Sequence, residues 1–275
     1  MPALGDTRHV RRTVDVMGTV FSVDLVDDTG QAQRALDDIE SWWQWVDATF
    51  STYREDSVVT RISAGDLTVR EAPPEVAEVL ALCAQMQRRT GGYFNAVNGK
   101  AIDPTGLVKG WSVEVASDRL HAAGLTRHCI NGGGDIQARG TPTDGRLWAV
   151  AVAHPLRPAE VLTVVHGEDV AVATSGVAER GAHIVDPFTG RPATELASVT
   201  IVGPHVTVAD GYATAAMAMG RAARPWLEQV AAEEDYHAMV VDAAGDVTCT
   251  SGWGRLASPQ AAASSSHQAH RQETQ

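Results

Sequence analysis

Between residues 10 and 26 apolar side chains fall at Val14, Val16, Phe21, Val23 and Leu25, with Met17-Gly18-Thr19 interrupting the run. A period of two predicts strand, so two strands about a tight bend, or one strand bulged at Gly18, are expected here. The period then changes to that of a helix. Ala32, Leu36, Ile39, Trp43 and Val46 share one face while Asp37, Asp38 and Glu40 take the other, which predicts an amphipathic helix over 32–50. Residues 50–54 read as loop, where Tyr53 is suited either to core packing or to stacking on a planar ring. Pro73-Pro74 opens a second helix through Val76, Val79, Leu80, Cys83 and Met86, and Gly91-Gly92 closes it. A third is expected from about 111 to 123, stopped by Gly124.

Beyond it the pattern turns to short strands, at 147–153, 161–166, 170–173 and 199–202, separated by Pro and Gly turns that suit an antiparallel or mixed sheet. A small-residue helix follows at 209–220, then a helix over about 224–233 and a hairpin formed by 237–241 and 247–250. The expected class is therefore α+β, with mixed, largely antiparallel sheets and flanking helices. Ala, Ser, Gln and His dominate after position 256, so residues 1–256 are read as one domain and 257–275 as a disordered tail.

Composition narrows the function classes. Hydrophobic residues make up 44% and charged residues 20% of the 275, the balance of a globular chain with ample core. A formal net charge of -12 argues against non-specific nucleic-acid binding. It also means that a phosphorylated ligand would need a local remedy, either a metal ion or backbone donors. The three cysteines, Cys83, Cys129 and Cys249, stand far apart, with neither metal-ligand spacing nor a disulfide framework, which suits a reducing compartment. No apolar run is long enough to span a bilayer, and none follows the basic residues near the N-terminus as a secretory signal would require. A cytoplasmic location is the expectation.

Four stretches carry candidate chemistry. The apolar run 170–173 ends in Thr174-Ser175-Gly176, a polar strand end that either tips a hairpin or turns backbone N–H groups toward an anion; His183 and the turn Asp186-Pro187-Phe188-Thr189-Gly190 follow. Asp103 to Gly110 is a Gly-rich turn leading into a helix. It is a plausible phosphate cradle without P-loop spacing, in which Lys109 reaches the ligand or lies on a solvated face. Asn131-Gly132-Gly133-Gly134-Asp135 offers either a tight turn or close backbone approach. Asp210 and Thr214, four apart on one helix face, serve either as a cap or as hard oxygen ligands for Mg2+.

The order of these blocks is more telling than any one of them. Met17-Gly18-Thr19, Phe50-Ser51-Thr52-Tyr53, Gly92-Tyr93-Phe94-Asn95, Asp103-x-x-Gly106-x-x-Lys109-Gly110, Asn131 to Asp135, Thr174-Ser175-Gly176, His183-x-x-Asp186-Pro187 and Asp210-x-x-x-Thr214 run in one sequence. Over residues 12–252 this resembles the ApbE family, the FAD:protein FMN transferases.

The resemblance implies an ApbE-like, T-fold-like architecture and Mg2+-dependent transfer of FMN from FAD, the substrate, to a Ser or Thr hydroxyl of an acceptor protein, with AMP released. It implies that Met17 and Tyr53 contact the FAD rings, that Tyr93, Phe94 and Asn95 line the cleft, and that Asp103, Lys109 and the backbone near Val185 reach FAD. The metal site maps to Asp210, Thr214 and the Gly106 carbonyl, and His183 to a proton acceptor. Departures from the family pattern are Asn95 where many members have Asp, Ala213 where some have a second acidic metal neighbour, and a short loop between Gly176 and His183, across which Glu179 and Arg180 are placed to pair. The rival readings are an FAD pyrophosphatase giving FMN and AMP, a non-catalytic FAD-binding module, and a flavin-dependent oxidoreductase.

Overall fold

Strands β1 (His9–Val16) and β2 (Thr19–Val26) pair as a hairpin. Both turn residues adopt left-handed backbone, with φ 55° at Met17 and 72° at Gly18, the mirror-image turn that follows strand twist. The hairpin reading thus holds over the single bulged strand. The fold is that of a computed structural model, which describes residues 9–26, 30–99, 101–143, 145–177 and 184–259.

The hairpin edges an eight-stranded antiparallel sheet of order β1-β2-β5-β6-β9-β10-β11-β12 among the described residues. It is completed by β5 (His128–Gly132), β6 (Asp135–Arg139), β9 (Val170–Gly176), β10 (Leu196–Gly203), β11 (His237–Asp242) and β12 (Val247–Cys249). A three-stranded sheet of β7 (Trp148–His154), β8 (Arg157–Gly167) and β13 (Ala257–Pro259) packs on one face. A small ladder joins β3 (Val97–Asn98) to β4 (Ala101–Ile102). The α+β, antiparallel expectation is met.

Strand β9 shows why the layers separate as they do. Val170 and Val172 point into an apolar cluster with Trp148, Val150 and Val165 of the small sheet. Ala171 and Ala173 alternate to the other face and join the main core with the helices. Small residues on that face let a helix approach closely, and α5 (Val206–Met219), itself built of small residues, lies there. The other helices are α1 (Ala32–Phe50), α2 (Val58–Ala64), α3 (Pro74–Arg89), α4 (Thr105–Ala122) and α6 (Ala223–Glu233).

Four expectations are corrected. Helix α4 begins at Thr105, not near 111, so the Gly-rich turn and Lys109 are helical. Glycine's poor helix propensity is overridden by packing: a Cβ at Gly110 would lie 2.8 Å from Asp210 Cβ, and one at Gly106 2.9 Å from Thr214 Cγ2. Helix α2 occupies residues that patterning left without an element; it is too short for periodicity to reveal, although Ser57 caps it by accepting from the Thr60 N–H at 3.2 Å. Helix α5 starts at Val206 with His205 as its N-cap, so Asp210 is inside the helix and caps nothing. Finally, Ala257–Pro259 pairs with β8, with Ala257 opposite Val165, so ordered chain passes the boundary drawn at 256. Residues 260–275 lie outside the described residues.

Candidate active site

Helices α4 and α5 meet across two glycines. Each of Gly106 and Gly110 stands one turn from the other, as do Asp210 and Thr214, and the pairs match in opposite sense: Gly110 abuts Asp210 and Gly106 abuts Thr214. The Gly110 N–H donates to Asp210 Oδ2 at 2.9 Å, and the Thr214 hydroxyl donates to the Gly106 carbonyl at 3.3 Å. From β9, Ser175 Oγ comes within 3.4 Å of Thr214 Oγ1. Carboxylate, two hydroxyls and a carbonyl are thereby gathered at one point.

Two further charges complete the cluster. Lys109 Nζ forms an ion pair with Asp135 Oδ2, and Asp135 is only 1% exposed. Asp135 opens β6 directly after Gly133 and Gly134, whose φ values of 58° and 97° require glycine in this tight turn. Asp210 is buried, and that desolvation raises its pKa well above the ordinary carboxylate range; the Asp135 carboxylate raises it further, while Lys109 and the Gly110 N–H act in the opposite direction.

The cluster lies at the wall of a cavity of about 870 Å³. Its walls include Tyr93 to Val97, the first turns of α4, the end of β9, part of β7 and the segment around Val185. A cavity of this size fits a ligand of dinucleotide dimensions. Of the residues singled out from sequence, Tyr93, Phe94, Asn95, Asp103, Gly106, Lys109, Val185, Asp210 and Thr214 all line it. Asn95 Oδ1 is engaged by the Val97 N–H at 3.0 Å, and Asp103 Oδ1 by the Thr105 N–H at 3.1 Å. Tyr93 packs edge-on against Phe188, with ring centroids 4.8 Å apart. The turn after Val185 is tied by Asp186, which accepts from the Phe188 N–H at 2.9 Å and the Thr189 hydroxyl at 2.8 Å, bonds that hold its pKa down.

Met17 and Tyr53 are not brought to the cavity. Met17 leans on the main core with Sδ 4.0 Å from Ser112 Oγ, and its hairpin neighbour Thr19 lines the cavity instead. Tyr53 is 88% exposed on the loop after α1. His183, Glu179 and Arg180 lie outside the described residues. Sequence reasoning placed Asp135 and Ser175 within candidate stretches but gave neither side chain a role. The available signals were an acid placed directly after a glycine run, and a hydroxyl at the polar end of an apolar strand.

Oxygen donors of this kind suit a hard cation such as Mg2+. Among the described residues no group of three or more His, Cys, Asp or Glu converges as a metal site. A cation here would therefore depend on Asp210 together with the Thr214 hydroxyl and the Gly106 carbonyl. The long contacts between Thr214, Ser175 and Gly106 leave those oxygens loosely engaged, and Asp135 Oδ1 is buried without a hydrogen-bond partner. The donor set fits the ion.

Comparison with known proteins bears on this geometry. The profile of the ApbE family matches residues 17–104 and 96–240. An FAD:protein FMN transferase of Vibrio cholerae is 35% identical over 265 residues, spanning 74% of this chain and 79% of that protein. One from Haemophilus influenzae is 23% identical, spanning 78% and 82%. The solved flavin transferase ApbE from Vibrio cholerae superposes with a TM-score of 0.77 at 21% identity, covering 91% of this chain and 99% of that one. The ApbE protein from Thermotoga maritima gives 0.80 at 20% identity, covering 90% and 99%. These superpositions speak for the fold.

Proposed function

The chain belongs to the ApbE family, and on that premise we infer that it is an FAD:protein FMN transferase, which moves FMN from FAD onto an acceptor protein. The observation that carries the chemistry is the pairing of Asp210 and Thr214 with Gly110 and Gly106 at the wall of the cavity.

In our reading a Ser or Thr hydroxyl oxygen of the acceptor protein attacks the FMN-side phosphorus of FAD. A P–O bond forms to that oxygen, the bridging P–O bond of the pyrophosphate breaks, and AMP departs with the electron pair. Asp210, Thr214 and the Gly106 carbonyl would hold Mg2+, which supplies neutralisation of pyrophosphate charge when bound. Lys109, in the second turn of α4, provides the positive charge that this acidic chain needs beside a pyrophosphate. Asp135 fixes the ammonium in place from the buried side. Tyr93, Phe94 and Asn95 form a wall for the ring systems, and closely packed helices exclude water from beneath the reacting groups. We assign removal of the hydroxyl proton to His183, which directly precedes the cavity-lining Ile184.

Incubation with FAD and Mg2+, with and without a Thr-bearing acceptor, followed by chromatography, tests the reading. AMP release that is strongly stimulated by acceptor is expected. AMP and FMN released at equal rates in both cases would instead indicate a pyrophosphatase.

A further inference from the structure

We propose that the edge of β7 is where the acceptor docks: the segment bearing the Ser or Thr hydroxyl adds to it as a further strand and is led from there to the Asp210–Thr214 end of the cavity. This rests on the transferase reading above and names the surface by which the acceptor protein is held.

In the small sheet of order β13-β8-β7, β8 is the middle strand, and β7 is paired on one side only among the described residues. Its other edge faces the cavity. Val150, Ala151, Val152, Ala153, His154 and Pro155 line the wall without a gap, whereas no described residue of β8 does. A strand presenting a face would contribute every second residue, so the unbroken run means that the backbone edge itself is turned to the cavity. Such an edge offers a row of N–H and C=O groups, and the chemistry that matches it is another extended peptide. A flavin or a nucleotide does not repeat donors and acceptors at that spacing.

The other edges of the two larger sheets are guarded. β1 carries His9, Arg11, Arg12 and Asp15, β12 has three residues, and β13 has three and ends in Pro259. β7 has seven residues with no formal charge and no proline, and its pairing with β8 is irregular only at Ala153 and His154. Val150 and Val152 turn inward to the apolar cluster, which leaves Ala149, Ala151 and Ala153 as the exposed face. Val97 and Val185, which line the same cavity, are exposed apolar side chains. An uncharged segment of small residues suits these surroundings. The edge also lies near the reacting groups. Val172 of β9 shares a cluster with Val150 and Val152, and Ser175, three residues further on, comes within 3.4 Å of Thr214. At strand rise those three residues span about 10 Å, so a docked segment needs only a few residues to bring its hydroxyl to the phosphorus.

The probe is a synthetic peptide with one Thr among Ala, Gly and Ser residues or, where only a folded acceptor takes FMN, that acceptor protein. Amide hydrogen exchange is measured on the full-length wild-type protein without FAD. At saturating probe, exchange within residues 148–154 should slow on the order of tenfold. With FAD and Mg2+ added, acceptors carrying one N-methyl amide, moved residue by residue, should show KM raised about three- to tenfold at alternate positions and unchanged between them. That period of two is the mark of a strand edge. Protection of 148–154 by FAD alone would assign the edge to the nucleotide, and protection on raising the protein concentration alone would assign it to a second copy; either overturns the proposal. An acceptor that takes FMN while 148–154 exchange as before, or whose KM ignores N-methylation, overturns this inference alone. If neither peptide nor protein acceptor ever takes FMN, the transferase reading falls with it.

Discussion

The backbone N–H of Gly110 donates to the Asp210 carboxylate at 2.9 Å, and the same glycine leaves no room for a Cβ, which would lie 2.8 Å from both Asp210 Cβ and the Val206 carbonyl. One residue therefore sets both the spacing of α4 against α5 and the position of the carboxylate. Gly110→Ala should destabilise the protein by about 1–3 kcal/mol through overpacking. Its melting temperature should fall by several degrees, and its affinity for Mn2+ should drop because the carboxylate is displaced. Calorimetry and a Mn2+ titration on the same preparation check both parts.

Asp210→Ala should abolish metal-dependent FAD cleavage while the protein stays folded. The substitution removes a carboxylate whose ionisation burial disfavours, so stability should hold or rise. AMP release measured beside a thermal melt distinguishes loss of chemistry from loss of fold.

His128 gives a pH prediction well away from the site. It is fully buried, with Nε2 2.8 Å from Ser117 Oγ and Nδ1 2.8 Å from the Leu125 carbonyl, and burial lowers its pKa from 6.5 to about 4. A folded-state value below the unfolded one means that the unfolded chain takes up the proton first as pH falls. The stabilisation is present above pH 6.5 and is lost between there and about 4. It amounts to about 3 kcal/mol. Chemical denaturation across that window should show the loss, and His128→Gln, which cannot titrate, should show a flatter profile.

The chain's end offers a truncation pair. Ala257–Pro259 pairs with β8, so stopping after Leu256 should expose that edge and lower the melting temperature relative to stopping after Pro259. Equal melting temperatures for the two truncations would show that the β13 pairing contributes nothing to stability.

The amphipathic stripe on α1 and the alternation in β1 and β2 made much of the fold legible in the sequence, because each buries one face against one core and periodicity records that directly. The start of α4 was not legible. Gly106 and Gly110 read locally as turn formers, and only the approach of Thr214 and Asp210, about a hundred residues away in sequence, explains why glycines occupy a helix there. The site was visible in the same uneven way. Asp210 and Thr214 share a helix face at a spacing that sequence displays, and Lys109 stands out as a cation in an acidic chain. Asp135 belongs to a stretch the sequence marks for its glycines, and its pairing with Lys109 was not legible because it depends on strand order, which sets β6 beside β9 and against α4. The FAD contacts of Met17 and Tyr53 rest on family resemblance alone; Met17 packs against the main core and Tyr53 is exposed.

The central claim is transfer, and intact mass spectrometry of an acceptor protein tests it most directly. Purified protein, FAD and Mg2+ are incubated with an acceptor bearing a single candidate Thr, and in parallel with its Thr→Ala variant. The account predicts one added FMN on the Thr acceptor, none on the Ala variant, AMP released in step with the adduct, and no adduct when Asp210→Ala replaces the wild type. An unmodified acceptor mass while free FMN and AMP accumulate would contradict it.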